Sequence, residues 1–438
     1  MTFFTNFCIL YDVDTRKEKN SKISQSIKAT YEKRAGQKCR VFTVKIQDNK
    51  LSKLQKEQIK MMFVEAKWIK NAILAWSENN PDNKIWNYDI KNKTVVHKDK
   101  DMKDVEVALK YLPVQERQCV QSEMISNIKT LSTLKKKGLQ KCGRIKFVKE
   151  IKSINFKQYG VSHRIVSSKR IKLAGVSKTV QVNGLSQFVN SGFEYANAKL
   201  LNTPSGYYVQ FTTFADKSGM NDKQDNGKIL GIDFGCSTAF TTSEGEKINA
   251  SVQESERLKR LSAGLNRRQK KGSKNWYRTV GLIGIEYQKM TNRKNDLANK
   301  ITAHFNEYHT VVIQDEQLSN WMKGNHGKSV QHSVMGRVKA KLMLNPKTVV
   351  LSKTVPTTKL CTKCGQYHDD MKVWDRTFTC GCGVNMDRDV HAALNMVWFY
   401  EHNVGVGHTN FKRAEMEALV LSALSTGNQL TSVKHEAD

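Results

Sequence analysis

Residues Lys228–Cys236 read KILGIDFGC, a short apolar run that ends in one carboxylate, Asp233, with Gly235 just beyond. Ile229-Leu230-Gly231-Ile232 is too short for a helix and predicts a buried central strand. A carboxylate at the end of such a strand is costly without a partner, and a metal ion is the usual one. A single Asp there is more often a turn residue, so the argument needs companions. His309–Leu318, HTVVIQDEQL, is a second apolar strand, running into Asp315 and Glu316. Met386–Met396, MDRDVHAALNM, places Asp389 at the opening of a segment with apolar periodicity at Val390, Ala393, Leu394 and Val397. That is the first turn of a helix, where negative charge is favoured. Two strand-borne carboxylates and one helix-borne carboxylate can converge on a pair of divalent ions, the arrangement that clamps both oxygens of a phosphodiester displacement. Two Mg²⁺ suit it, because Mg²⁺ takes few carboxylates and keeps substrate phosphates among its ligands.

A second signal is C-x2-C-x15-C-x-C, formed by Cys361, Cys364, Cys380 and Cys382. Paired cysteines across glycine-bearing turns supply the four soft ligands of one tetrahedral, structural Zn²⁺, leaving no open position for chemistry. The one-residue gap in the second pair predicts a strained corner, with His368 as an alternative ligand. The knuckle ends seven residues before Asp389, so it is expected to hold that acid in register.

The order GIDFG, VVIQDEQL, cysteine knuckle, DRDVHAALNM resembles the split RuvC nuclease of TnpB proteins and the compact type V CRISPR effectors, specifically over about Ile229–Trp398. The resemblance assigns Asp233, Glu316 and Asp389 as the three catalytic, Mg²⁺-binding acids. Glu316 lies over the family's Glu-Asn/Asp-Leu; a shifted register would put Gln314 there instead. Asp389 rather than Asp387 fits the pattern Asp-x-Asn-Ala-Ala-x-Asn, in which His391 replaces the first Asn. The resemblance further implies that the knuckle helps load a target strand. Arg388 is expected at the scissile phosphate or, equally, on the surface.

The chain has 438 residues with 72 Lys+Arg against 41 Asp+Glu, a net charge of +31. A compact protein so charged calls for a polyanion, and nucleic acid is the natural one. An anionic membrane surface is the rival reading, but no basic amphipathic anchor and no apolar run of transmembrane length is found. Residues 1–11 lack the features of a signal peptide and read as part of the fold. The remaining cysteines, Cys8, Cys39, Cys119, Cys142 and Cys236, are scattered, as expected of unpaired thiols in a reducing cytosol.

Along the chain, SKISQSIKATYEKR predicts a short helix and Arg40–Ile46 a strand. Ser52 and Gln55 form a capping-box pattern before a helical stripe from Ile59 to Trp76. Residues 77–111 read as polar loop, and Val114–Leu134 as helix. Between Lys129 and Lys157 there are ten Lys/Arg and one acid, Glu150, interleaved with Ile145, Phe147, Ile151, Ile154 and Phe156 as on a strand. That predicts a basic sheet face able to track phosphates, with Lys135, Lys136, Lys137, Arg144 and Lys146 as contacts. Strands at Arg164–Leu173, Thr179–Val182 and Tyr207–Thr213 suggest a small barrel. Residues 251–307 read as long helices broken near KKGSKNW. There Arg267, Arg268, Lys270, Lys271 and Lys274 crowd Trp276 and Tyr277, a surface suited to phosphates and stacked bases. Val330–Leu344 is a predicted helix, Thr348–Val355 a strand, and Arg413–Leu424 a helix in a polar tail.

The expected architecture is α+β and multidomain. It comprises an N-terminal segment with the first wedge strand (1–48), a helical recognition insertion (49–140) and a wedge β-barrel (141–227). An RNase H-like (RuvC) α/β nuclease follows (228–357 and 386–400), with the zinc knuckle (358–385) inserted, and then a tail (401–438). By resemblance the function is RNA-guided DNA cleavage in the prokaryotic cytosol or nucleoid, by a monomer or homodimer. The expected partners are a guide RNA in a basic channel and target double-stranded DNA, whose flanking motif the N-terminal half reads. The alternatives are a guided DNA-binding repressor with weak or no cleavage and an unguided, structure-specific RuvC-type nuclease.

Overall fold

The computed structural model describes residues 3–79, 82–98, 103–138, 145–189, 191–217, 225–268, 270–324, 327–372 and 374–404, with 406, 418, 420 and 422. The chain divides into two units, Met1–Asn221 and Asp222–Asp438. No helix among the described residues is long and apolar enough to cross a membrane.

In the first unit α1 (Phe3–Ala35) leads into β1 (Gln37–Ile46), followed by α2 (Lys53–Asn79), β2 (Thr94–Lys98), β3 (Asp104–Ala108) and α3 (Val114–Lys136). Then come β4 (Ser153–Phe156), β5 (His163–Ser167), β6 (Arg170–Leu173), β7 (Val180–Asn183), β8 (Glu194–Thr203) and β9 (Gly206–Asp216). Alternation in β1 buries Val44 and Ile46 while Thr43 and Lys45 face out. Seven strands in the order β4-β8-β9-β1-β7-β6-β5 form an antiparallel, nearly closed, barrel-like sheet. Helix α2 starts at a reciprocal capping box, with Gln55 N donating to Ser52 Oγ (3.2 Å) and Ser52 N to Gln55 Oε1 (3.0 Å). Its stripe Ile59, Met62, Ala66, Ile69 and Ile73 is buried in the same core as the barrel interior.

The structure differs here from the sequence expectation in several ways. The polar stretch 77–111 contains the β2–β3 hairpin, whose short strands, TVVHK and DVEVA, are largely exposed and set among polar residues. The N-terminal helix is longer than expected. Of the basic stretch read as a strand, only Ser153–Phe156 pairs in the sheet, so Lys146 is not on a strand face.

The second unit contains β10 (Ile229–Phe234), β11 (Phe240–Thr242), β12 (Lys247–Ile248), α4 (Glu256–Arg268), α5 (Lys274–Phe305) and β13 (Thr310–Gln314). It continues with α6 (Leu318–Trp321), α7 (Gly327–His332), α8 (Met335–Leu342), β14 (Thr348–Leu351), β15 (Thr377–Thr379), β16 (Asn385–Asp387) and α9 (Arg388–Glu401). The main sheet has the order β12-β11-β10-β13-β14. β10, β13 and β14 run parallel, whereas β11 and β12 are antiparallel. Parallel neighbours need long crossovers, which α4–α5 and α6–α8 provide. β10 is therefore where pairing changes sense, and in open α/β sheets ligands bind outside the carboxyl ends of strands at such a point.

Helix α9 lies directly on β10. A Cβ on Gly231 would sit 2.0 Å from the Ala393 carbonyl oxygen, so only glycine lets helix backbone and strand approach this closely. The helix expected over Val330–Leu344 is instead two, α7 and α8. Val334 N donates to Ala250 O (2.9 Å), and Ser333 bridges to Ser251, taking backbone groups a continuous helix would use. The tail helix expected at Arg413–Leu424 lies almost wholly outside the described residues.

Candidate active site and metal centre

Asp233 is the penultimate residue of β10, Glu316 lies two residues beyond β13, and Asp389 is the second residue of α9. All three are partly exposed. Burial, then the charges of Asp389 and Glu316, push the Asp233 carboxyl up to about 8, with Arg388 offsetting part of the shift. The Glu316 carboxyl is also raised, by burial first; Lys339 lowers it and Asp315 raises it. The structure thus brings Glu316 and Asp389, from distant parts of the chain, within electrostatic reach of Asp233. Such a like-charge cluster needs a cation, and its all-oxygen donor set fits a hard divalent ion such as Mg²⁺. Among the described residues, only the four cysteines gather three or more ligand atoms within 4.8 Å of one another, so the carboxylates are spread more widely.

The neighbours of each acid show why these side chains, and not adjacent ones, are available. Asp387 is the N-cap of α9: its Oδ1 accepts from Asp389 N (3.1 Å) and Val390 N (3.2 Å), and Lys247 pairs with its other oxygen at 2.6 Å. With Asp387 committed to the cap, Asp389 is the acid free of backbone work. Arg388 holds Asp389 Oδ1 through Nη2 (3.0 Å) and Nε (3.2 Å). Gln314 points elsewhere: its Nε2 donates to Ser352 O (3.1 Å) and Val355 O (2.7 Å), and its Oε1 accepts from Thr357. It anchors a loop.

Sequence reasoning missed Lys339. Only 9% exposed, it donates to Asp315 Oδ1 (3.0 Å) and to the Glu316 carbonyl (2.7 Å), clasping the turn that carries Glu316. The signal was present: Met335, Val338, Lys339 and Leu342 form the buried stripe of α8, and a lysine in an apolar stripe needs a partner.

The four cysteine sulfurs converge, with Cys361···Cys382 at 3.6 Å and Cys364···Cys380 at 3.5 Å. These are far longer than a disulfide and close to the edge of about 3.8 Å expected for four sulfurs about 2.3 Å from one zinc. Burial pushes the Cys361 thiol up to about 12, whereas the backbone N–H of Val384 first, among other groups, draws Cys382 down to about 7. A thiophilic cation fits this donor set. Gly383, at φ 91°, turns the second arm and donates to Cys380 O at 3.0 Å, so the one-residue gap closes. His368 is not in the cluster; its ring packs edge-on against Phe378 at 5.0 Å.

The cationic residues fall in two places. Lys135, Lys136 and Lys137 are exposed at the end of α3 and just beyond, and Lys146 is exposed before β4, all in the first unit. Arg144 lies outside the described residues. In the second unit Arg267 is exposed near the end of α4, Lys270 and Lys271 in the turn, and Lys274 at the start of α5. The Arg268 side chain is outside the described set. Ser273 caps α5 by accepting from Trp276 N at 3.2 Å. Trp276 meets Tyr277 edge-on at 5.0 Å, and Tyr277 is exposed.

Comparison with known proteins adds three findings. Residues 333–396 match the family model "Cas12f1-like, TNB domain". A Streptomyces pristinaespiralis protein named "Putative RNA-guided DNA endonuclease" is 29% identical over 177 residues, covering 38% of this chain and 44% of that relative. The chain thus spans less than half of that relative's length. The solved structure of a Cas12f1–sgRNA–target DNA complex covers 64% of this chain and 70% of its own at 14% identity and a TM-score of 0.38, a loose likeness. On its motifs, the matched domain and this relative, the chain is related to the TnpB and compact type V effector family.

Proposed function

We propose that the protein is an RNA-guided DNA endonuclease that hydrolyses phosphodiester bonds in an RNase H-like, RuvC-type site. The observation that carries this reading is the convergence of Asp233, Glu316 and Asp389 at the carboxyl ends of parallel strands and the start of α9, with Glu316 and Asp389 close enough to add to the upward shift that burial gives the Asp233 carboxyl. The mixed order β12-β11-β10-β13-β14 supports an RNase H-like sheet. The curated relative's name points to the same activity.

In this reading Asp233, Glu316 and Asp389 hold two Mg²⁺, which supply Lewis-acid stabilisation of the attacking and leaving oxygens. Asp233 gives up its proton to serve as a ligand. Lys339 keeps Glu316 in place, and Arg388, released from Asp389, can turn its guanidinium to the scissile phosphate. Cys361, Cys364, Cys380 and Cys382 hold one structural Zn²⁺. The basic clusters at Lys135–Lys137 and Arg267–Trp276 follow phosphates of guide and target. Delegating sequence reading to base pairing lets such contacts be mostly to backbone. In the first unit, a cavity of about 820 Å³ lined by Gln118, Asn127, Asn155, Asn197, Tyr159 and Tyr195 offers amides and stacked rings for reading bases of flanking duplex. The domain reading is a wedge barrel with a helical recognition insertion, then the nuclease with its knuckle.

Purification with copurifying RNA, sequencing of that RNA, and incubation with matching duplex DNA and Mg²⁺ test the proposal. Cleavage that depends on RNA and Mg²⁺ and is lost in Asp233→Ala supports it. Guided binding without cutting would indicate a repressor, and cutting without RNA an unguided nuclease.

A further inference from the structure

Helix α9 carries Asp389 and is gripped by both arms of the cysteine cluster. One grip is aromatic. Phe378, fully buried in β15, lies flat on the His391 ring, with centroids 3.5 Å apart and planes 11° apart. β15 pairs with β16 in register Thr377↔Asp387 and Phe378↔Met386; the turn of this hairpin holds Cys380 and Cys382, and its foot is the helix cap Asp387. The other grip is polar and one helical turn further on. Asn395 Nδ2 donates to the carbonyls of Thr357 and Leu360, both at 2.7 Å, and Asn395 Oδ1 accepts from Thr362 at 2.8 Å, beside Cys361. His391 and Asn395, four residues apart, share one face of α9. Asp389, two residues before His391, projects from nearly the opposite face, since each residue turns the helix by about 100°.

This geometry makes the roll of α9 about its own axis the quantity that places the Asp389 carboxylate. A side-chain tip lies about 5 Å from the helix axis, so a roll of about 20° displaces it by about 1.7 Å. Misplacements of about 1 Å at reacting groups cost on the order of a hundredfold in rate. A broad ring held flat against Phe378 resists such a roll; a smaller side chain leaves room for it.

We propose that His391 is a positioning residue, through which the cysteine-held hairpin fixes the roll of α9 and thereby sets Asp389 for the divalent ions. The inference rests on the nuclease reading above. It gives a physical reason for a ring at the position where the family pattern has asparagine.

The test compares wild type, His391→Ala and His391→Phe in the zinc-loaded, guide-bound protein. Two Mg²⁺ titrations are read: the rise in Tm and the rate of target cleavage. Replacement by alanine should raise both Mg²⁺ midpoints about tenfold with target binding changed less than twofold. Phenylalanine, which restores the flat contact, should bring the midpoints back within about twofold of wild type. Unshifted midpoints in His391→Ala, even with a lower Tm, would overturn the proposal, as would a shift of equal size in both variants. Should His391→Ala not fold, Phe378→Leu loosens the same contact from the hairpin side and must give the same shift. A wild type with no response to Mg²⁺ overturns the nuclease reading and this inference together, whereas a responsive wild type with an unshifted variant overturns only the inference.

Discussion

The second unit holds two clusters of ligand-type side chains built in opposite ways. The cysteines come from one short stretch, Cys361–Cys382, closed by tight turns, and their sulfurs lie within 4.8 Å of one another. The acids come from two strands and a helix, and meet only because α9 packs on β10. Closing a short loop costs little chain entropy, so a cysteine centre of this kind can assemble locally around a metal ion. The acidic centre is assembled against burial first and the repulsion of its neighbours second, which push the Asp233 carboxyl up to about 8, and it needs the whole sheet to hold it. In the proposed function the first centre would be organised by its ion, whereas the second is organised by the fold and would then be offered to its ions.

The comparison breaks most visibly if the acids can be removed without consequence. Asp233→Ala should abolish Mg²⁺-dependent cleavage, by about a thousandfold or more, while zinc content stays at one per chain. Cleavage assay and metal analysis on the same preparation check both halves. Conversely, Cys382→Ser should lose the zinc and lower the Tm of the second unit, because structural zinc contributes about 10 kcal/mol or more of folding free energy to small knuckles. Cleavage should fall with it, since the hairpin caps α9; unchanged activity in a zinc-free variant would show the two centres to be independent. Lys339→Met tests the turn rather than the ligands. It should slow cleavage by about tenfold to a hundredfold and raise the Mg²⁺ requirement, with zinc content unaffected.

The smallest effect concerns an acid with no cation to come. Glu116, on α3, is fully buried, its carboxylate has no side-chain partner among the described residues, and burial, offset in part by its own backbone N–H, raises its pKa from 4.5 to about 7. The folded chain therefore holds this proton longer than the unfolded chain. Its stabilising contribution is complete below about pH 4.5 and is lost as pH rises through about 7. Glu116→Gln should remove that part of the decline and raise the Tm above pH 7 by a few °C. Calorimetry across pH reads it, and added Mg²⁺ should not substitute for the mutation.

Several elements were legible because their signals are local. The capping box at Ser52 and Gln55, the break between α4 and α5 at KKGSKNW, and the apolar strands before Asp233 and Asp315 all follow from residues adjacent in the chain. Others were not. β8 was missed because a register shift between Tyr195 and Ala198 spoils its alternation. The α7–α8 break comes from hydrogen bonds to Ala250, far away in sequence. Residues 145–152 alternate like a strand yet have no strand partner in the sheet. At the candidate site the acids could be named from sequence, but not the clasp by Lys339 or the contact between His391 and Phe378.

By itself the sequence determined the residue types and spacings: which acids end strands, which cysteines are paired, where charge accumulates. These depend on covalent neighbours and on the periodicities of strand and helix. Only the tertiary structure decided that Asp387 is spent on a cap while Asp389 is not, that Gln314 anchors a loop while Glu316 joins the cluster, and how α9 is held. Those outcomes turn on partners distant in the chain, and packing alone brings them together.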